Sequence, residues 1–65
     1  MYRVVSGFQA GNYSVLELDK RIEEKNYTGF RIDGNKYKAV PVYDLPMHIA
    51  IEAVGDFVGK DIACI

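Results

Sequence analysis

The sequence contains one cysteine, one histidine and only two prolines. One cysteine excludes an internal disulfide. One cysteine with one histidine excludes a four-ligand zinc site of the common kind. No run of residues approaches the ~20 apolar positions needed to cross a bilayer. The opening stretch, Met1-Tyr2-Arg3-Val4-Val5-Ser6-Gly7-Phe8, lacks the apolar length and cleavage pattern of a signal peptide. An excess of one charge is missing as well: the net charge of -1 argues against a protein that binds polyanions over its whole surface. These absences point to a small soluble domain of the cytoplasm without metal, cofactor or membrane contact.

What is present is a chain of 65 residues, 49% hydrophobic and 26% charged, the composition of one globular domain spanning residues 1–65. Ordering such a chain costs roughly 1.5 kcal/mol per residue, which apolar burial barely offsets at this length. With staples excluded, stability must come from a well-packed core or from a partner chain. So high an apolar fraction in so small a body leaves part of that surface outside, which favours self-association.

Along the chain, Tyr2 to Phe8 reads as a strand inside a sheet, with Tyr2, Val4 and Phe8 on one face and Met1 and Val5 on the other. Ser14-Val15-Leu16-Glu17 has the form of a capping box. Val15, Leu18 and Ile22 follow at helical spacing, and Glu17 with Arg21 and Lys20 with Glu24 make i,i+4 pairs. This pattern predicts a helix from about Val15 to Lys25. A strand through Val15-Leu16-Glu17-Leu18 is the competing reading.

Phe30 to Ala39 alternates about a glycine corner and predicts a hairpin. Either Gly34-Asn35 or Asp33-Gly34 can form its turn, with Phe30, Ile32, Tyr37 and Ala39 on one face in both registers. Asp44-Leu45-Pro46 interrupts the chain. Met47 to Val54 fits strand or helix, its isoleucines favouring the strand. Phe57 to Ile65 closes the sheet. The expected fold is α+β, one helix on a small, mainly antiparallel sheet in the order β-α-β-β-β-β. An all-β small barrel follows if Val15 to Asp19 is a strand.

Chemistry-bearing motifs are few. Gly55 to Lys60 imitates a phosphate loop, but only three residues separate Gly55 from Gly59, and Asp61 stands where the magnesium-binding hydroxyl belongs. Cys64, between Ala63 and Ile65, has the apolar surroundings of an inert thiol. His48 has carboxylates beside it only if its segment is helical, and neither Ser6 nor Ser14 has a base nearby in sequence. The expectation is a protein that is not an enzyme and binds no small molecule.

Charge is uneven along the chain. Residues 20–38 carry six basic and three acidic groups, a net of +3, whereas residues 39–65 carry one basic and four acidic, a net of -3. In the Gly34-Asn35 register Arg31 lies opposite Lys38, an unfavourable like-charge pair unless an anion meets it. Arg31, Lys36 and Lys38, with Tyr27 as a stacking surface, thus outline a weak nucleic-acid contact. Val40 and Val42 turn the polar face of the hairpin apolar, and they are the candidate interface of a homodimer. The favoured function is a non-enzymatic interaction or regulatory module that self-associates or takes a protein partner through an apolar sheet face. Nucleic-acid binding through the basic face is the alternative.

Overall fold

The computed structural model of the protein describes residues 1–40 and 47–65. Val42 and the Asp44-Leu45-Pro46 interruption lie outside these described residues. The described chain forms β1 (Tyr2–Ala10), β2 (Tyr13–Leu18), β3 (Gly29–Ile32), β4 (Asn35–Lys38), β5 (His48–Ile51) and β6 (Asp61–Cys64). They build one six-stranded sheet in the order β4-β3-β6-β1-β2-β5, in which every pair is antiparallel. The sheet is not closed into a barrel. Its two terminal strands meet at a single bridge between Ala39 and Ile51, where the Val40 N–H donates to the Ala50 carbonyl at 2.9 Å.

There is no helix among the described residues, so the α+β expectation is wrong and the fold is all-β. The segment assigned to the helix splits into β2 and an irregular stretch from Asp19 to Thr28. Ser14 caps nothing: its buried hydroxyl donates to the Ala53 carbonyl at 2.6 Å and lies 3.3 Å from Gln9 Oε1. Glu17 does not reach back to the Ser14 N–H, and its Oε1 accepts from the Ser6 hydroxyl at 2.7 Å. The reason is non-local. As a strand between β1 and β5, this segment pairs both backbone edges and buries Val15, Leu16 and Leu18 together. Full burial stabilises such side chains by about 1.5–3 kcal/mol each. Exposed i,i+4 ion pairs contribute only ~0.2–0.5 kcal/mol each, and an isolated helix this short is marginal.

The other strands fall close to where the alternation puts them, with three corrections. The last strand, expected from Phe57 to Ile65, runs only from Asp61 to Cys64 and lies between β3 and β1. In β1 the pairing with β2 jumps from Val4↔Leu18 to Ser6↔Glu17, so Val5 is the extra residue of a β-bulge. Tyr2 and Val4 face the core, but beyond the bulge Gly7 faces inward with Leu16 while Phe8 faces outward with Val15. Phe8 therefore does not share a face with Tyr2 and Val4. In the β3–β4 hairpin the corner is Asp33-Gly34, both at positive φ (52° and 80°), as a type I′ turn requires. Arg31 accordingly pairs with Lys36, and Lys38 faces Gly29.

The core lies on the inner face: Tyr2, Val4, Leu16, Leu18, Phe30, Ile32, Ile49, Ile51 and Ile62, with Tyr27, Tyr37, Ala39 and Phe57 packed against it. Within Met47 to Val54, His48–Ile51 forms strand β5, whose Ile49 and Ile51 enter this core.

Replacing Ser14 with Ala removes the shorter of two hydrogen bonds to the Ala53 carbonyl and leaves only Gln9 Nε2, at 3.4 Å, as its donor. It is expected to destabilise the domain by about 1–3 kcal/mol in urea unfolding. Extended backbone chemical shifts from Tyr13 to Leu18 should persist in that variant.

Candidate interaction surfaces

The registers place outward-facing side chains in rows across the sheet. One row runs Phe8, Val15 and Ala50 over β1, β2 and β5, and the Val40–Ala50 hydrogen bond extends it to Val40. Val15 and Ala50 are buried and Val40 half-buried, whereas Phe8 is 56% exposed. The next row contains Ala10 and the exposed Tyr13. An antiparallel sheet usually keeps such a face polar; here two adjacent rows are apolar. Val40, singled out because it turns the polar face of the hairpin apolar, joins this surface, while Val42 lies outside the described residues.

On the other flank of that apolar row, Ser6, Glu17 and His48 form a polar row. Its residue types invite comparison with a catalytic triad, but the order is unsuitable. A serine nucleophile needs the imidazole as its partner, with the carboxylate beyond. Here the carboxylate stands in the middle and Ser6 donates to it directly.

At the opposite end of the sheet, Arg31 and Lys36 are paired across the hairpin, with Lys38 farther along β4 and Ala63 beside Arg31 on β6. All three cations are exposed, and none makes an ion pair among the described residues. Tyr27 is not with them. It packs against the core, its ring 5.1 Å from that of Phe30, whose side of the sheet is the inner one. The structure thus brings Arg31, Lys36 and Lys38 together and separates Tyr27 from them.

The glycine-bearing segment before β6 has its amides engaged within the fold. Gly59 N–H donates to the Val4 carbonyl at 2.8 Å, Lys60 N–H to the Phe57 carbonyl at 3.1 Å, and Val58 N–H to Asp56 Oδ1 at 3.1 Å. Lys60 pairs with Asp33 at 2.8 Å, and this carboxylate raises the lysine pKa. These are the contacts of a structural turn, not of a phosphate cradle.

A cluster invisible to local sequence patterns joins β1, β6 and the irregular segment. The Tyr2 hydroxyl donates to Glu24 Oε2 and accepts from the Glu23 N–H at 3.1 Å, while Cys64 Sγ lies 3.7 Å from the same carboxylate oxygen. Lys20 sits 5.4 Å from the centre of the Tyr2 ring. The hydrogen bond from Tyr2 lowers the Glu24 pKa, and the same bond raises that of Tyr2. Burial, then the Glu24 charge, pushes the Cys64 thiol up to about 11. Glu24, Tyr27, Cys64 and Ile65 border a shallow depression of about 330 Å³. A second hollow of about 220 Å³ lies between Gly7 and Leu16 on the sheet and the Gly55–Val58 segment. A thiol held so far above neutrality is a poor nucleophile, and no group of three or more metal-ligating side chains gathers among the described residues. No helix among them is long and apolar enough to cross a membrane.

Comparison with protein-family models, with curated proteins and with solved structures finds no match for this chain.

Because the fold disfavours the Cys64 thiolate, its contribution to stability is complete below the ordinary thiol pKa of 9.0 and is lost as pH rises through about 11. The urea midpoint of the wild type should fall over that window more steeply than that of Cys64→Ser. Ultraviolet titration should place the thiolate transition near 11 in the folded protein and near 9 in denaturant.

Proposed function

We propose that the protein is a small non-enzymatic interaction module that self-associates through the outer face of β1, β2 and β5. The observation that carries this reading is the row Phe8–Val15–Ala50–Val40, in which a half-exposed aromatic ring stands beside buried small aliphatic residues. A phenylalanine so placed loses its exposed apolar area only against another surface, and aromatic anchors of this kind dominate interface energies. A second copy suits the face because the row has Tyr13 and Ala10 on one side and the polar row of Ser6, Glu17 and His48 on the other, an apolar centre with a polar rim. A two-fold contact would set Phe8 against its own counterpart region, the isologous arrangement of most homodimers. The chemical inventory supports a role in binding: Ser6 is tied to a carboxylate and Cys64 has a raised pKa.

Light scattering should give the mass of a dimer at high micromolar concentration, and Phe8→Lys should give a folded monomer with an unchanged circular dichroism spectrum. A monomeric wild type at that concentration would remove the proposal.

A further inference from the structure

We infer that the outer face of the β3–β4 hairpin docks an acidic, extended segment of a partner protein. The inference rests on where the neighbouring carboxylates are spent. Asp33, at the hairpin corner, is paired with Lys60 at 2.8 Å, and Asp61, on the adjoining strand β6, is paired with Arg3 at 3.3 Å. The carboxylates at the hairpin corner and on β6 are therefore paired with other cations, and Glu52, which the Ala39–Ile51 bridge brings opposite Lys38, makes no ion pair with it. Arg31 and Lys36 are left facing each other across a ladder, with Lys38 two residues along. Like charges directly opposite on a sheet destabilise it, and an incoming anion reverses that term.

The geometry favours a particular form of anion. Lys36 and Lys38 project from the same face of one strand, so their Cα atoms stand about 7 Å apart, the spacing of alternate residues in any extended peptide. A segment laid along β4 with carboxylates at alternate positions meets both lysines in register. A third carboxylate falls within reach of Arg31, whose guanidinium can bind it bidentately. The main chain can assist: in a hairpin with a two-residue turn, the Lys36 N–H and carbonyl point away from β3. Backbone pairing stops at Lys38, because the bridge between Ala39 and Ile51 begins to close the sheet there.

Nucleic acid is the poorer fit. Among the described residues this face offers no stacking platform for bases, since Phe30, Tyr27 and Tyr37 all lie on the core side and the residues beside the cations are Gly29 and Ala63. A long polyanion would also run past the exposed Glu52 and Asp61, whereas a short acidic segment can end at Lys38, before Glu52.

The test uses a fluorescein-labelled peptide alternating glutamate with threonine, its glutamine–threonine counterpart, and a single-stranded oligonucleotide of the same net charge. Each is titrated with the full chain at low ionic strength and followed by anisotropy. The glutamate peptide should bind saturably and the glutamine peptide should not. Lys36→Glu/Lys38→Glu should weaken binding by about tenfold or more. Amide shifts should concentrate at Arg31, Lys36 and Lys38. Both substitutions are at exposed positions, and an unchanged amide spectrum elsewhere verifies the fold. Absence of saturable binding, equal binding by the double variant, or tighter binding of the oligonucleotide than of the peptide would each overturn the inference.

Discussion

The arrangement of both faces depends on one extra residue. The bulge at Val5 lets the first half of β1 send Tyr2 and Val4 into the core while the second half sends Phe8 to the opposite side. A regular strand would have kept Phe8 inward, at a point where the sheet has only Leu16 beside Gly7. That site is already tight. An added Cβ at Gly7 would stand 3.0 Å from a Leu16 methyl and 3.1 Å from the Val15 carbonyl. The bulge thus puts Phe8 on the outer face and leaves Gly7 toward the hollow under the Gly55–Val58 segment. What reads in sequence as a continuous alternating strand becomes a strand with two orientations, and the apolar outer row exists because of it.

Local and non-local preferences disagree most in β2. Ser14, Glu17, Lys20, Arg21 and Glu24 satisfy every short-range rule for a helix start and its stabilising pairs, yet each is used otherwise or left to solvent. The start of that segment, Tyr13 to Leu18, also alternates, with Ser14, Leu16 and Leu18 inward. β1 precedes β2 by only Gly11-Asn12, so that hairpin was within reach of the sequence, but the helix signals from Ser14 onward compete with it, and the other partner, β5, lies far along the chain. Where no helix pattern competes, the reading succeeds. The hairpin at Asp33-Gly34 and the facing of Phe30, Ile32, Tyr37 and Ala39 were legible, since a two-residue turn transmits parity directly from one strand to the next.

The surfaces follow the same division. That Arg31, Lys36 and Lys38 share a face could be read from alternation, and the structure places them so. Whether Tyr27 joins them could not, because it precedes β3 in an irregular segment where no period applies, and its ring turns to Phe30. The polar row of Ser6, Glu17 and His48 and the Tyr2–Glu24–Cys64 cluster each need three registers or loop positions to be known at once. No pairwise spacing in the sequence encodes them.

The place of β6 in the sheet bears on how the chain reaches its native state. The last strand in sequence order sits third in space, between β3 and β1, and apart from the single Ala39–Ile51 bridge it is what joins the β3–β4 hairpin to the β1–β2–β5 group among the described residues. Until residues 61–64 are in place, the two groups are separate ribbons, each with an unsatisfied edge and half of a core. During synthesis both would wait on the chain that follows them, exposing Phe30, Ile32, Tyr2 and Val4 in the interval. Loop closures of such length are the slow step of β folding. The topology therefore concentrates the kinetic vulnerability of the protein in the arrival of one four-residue segment.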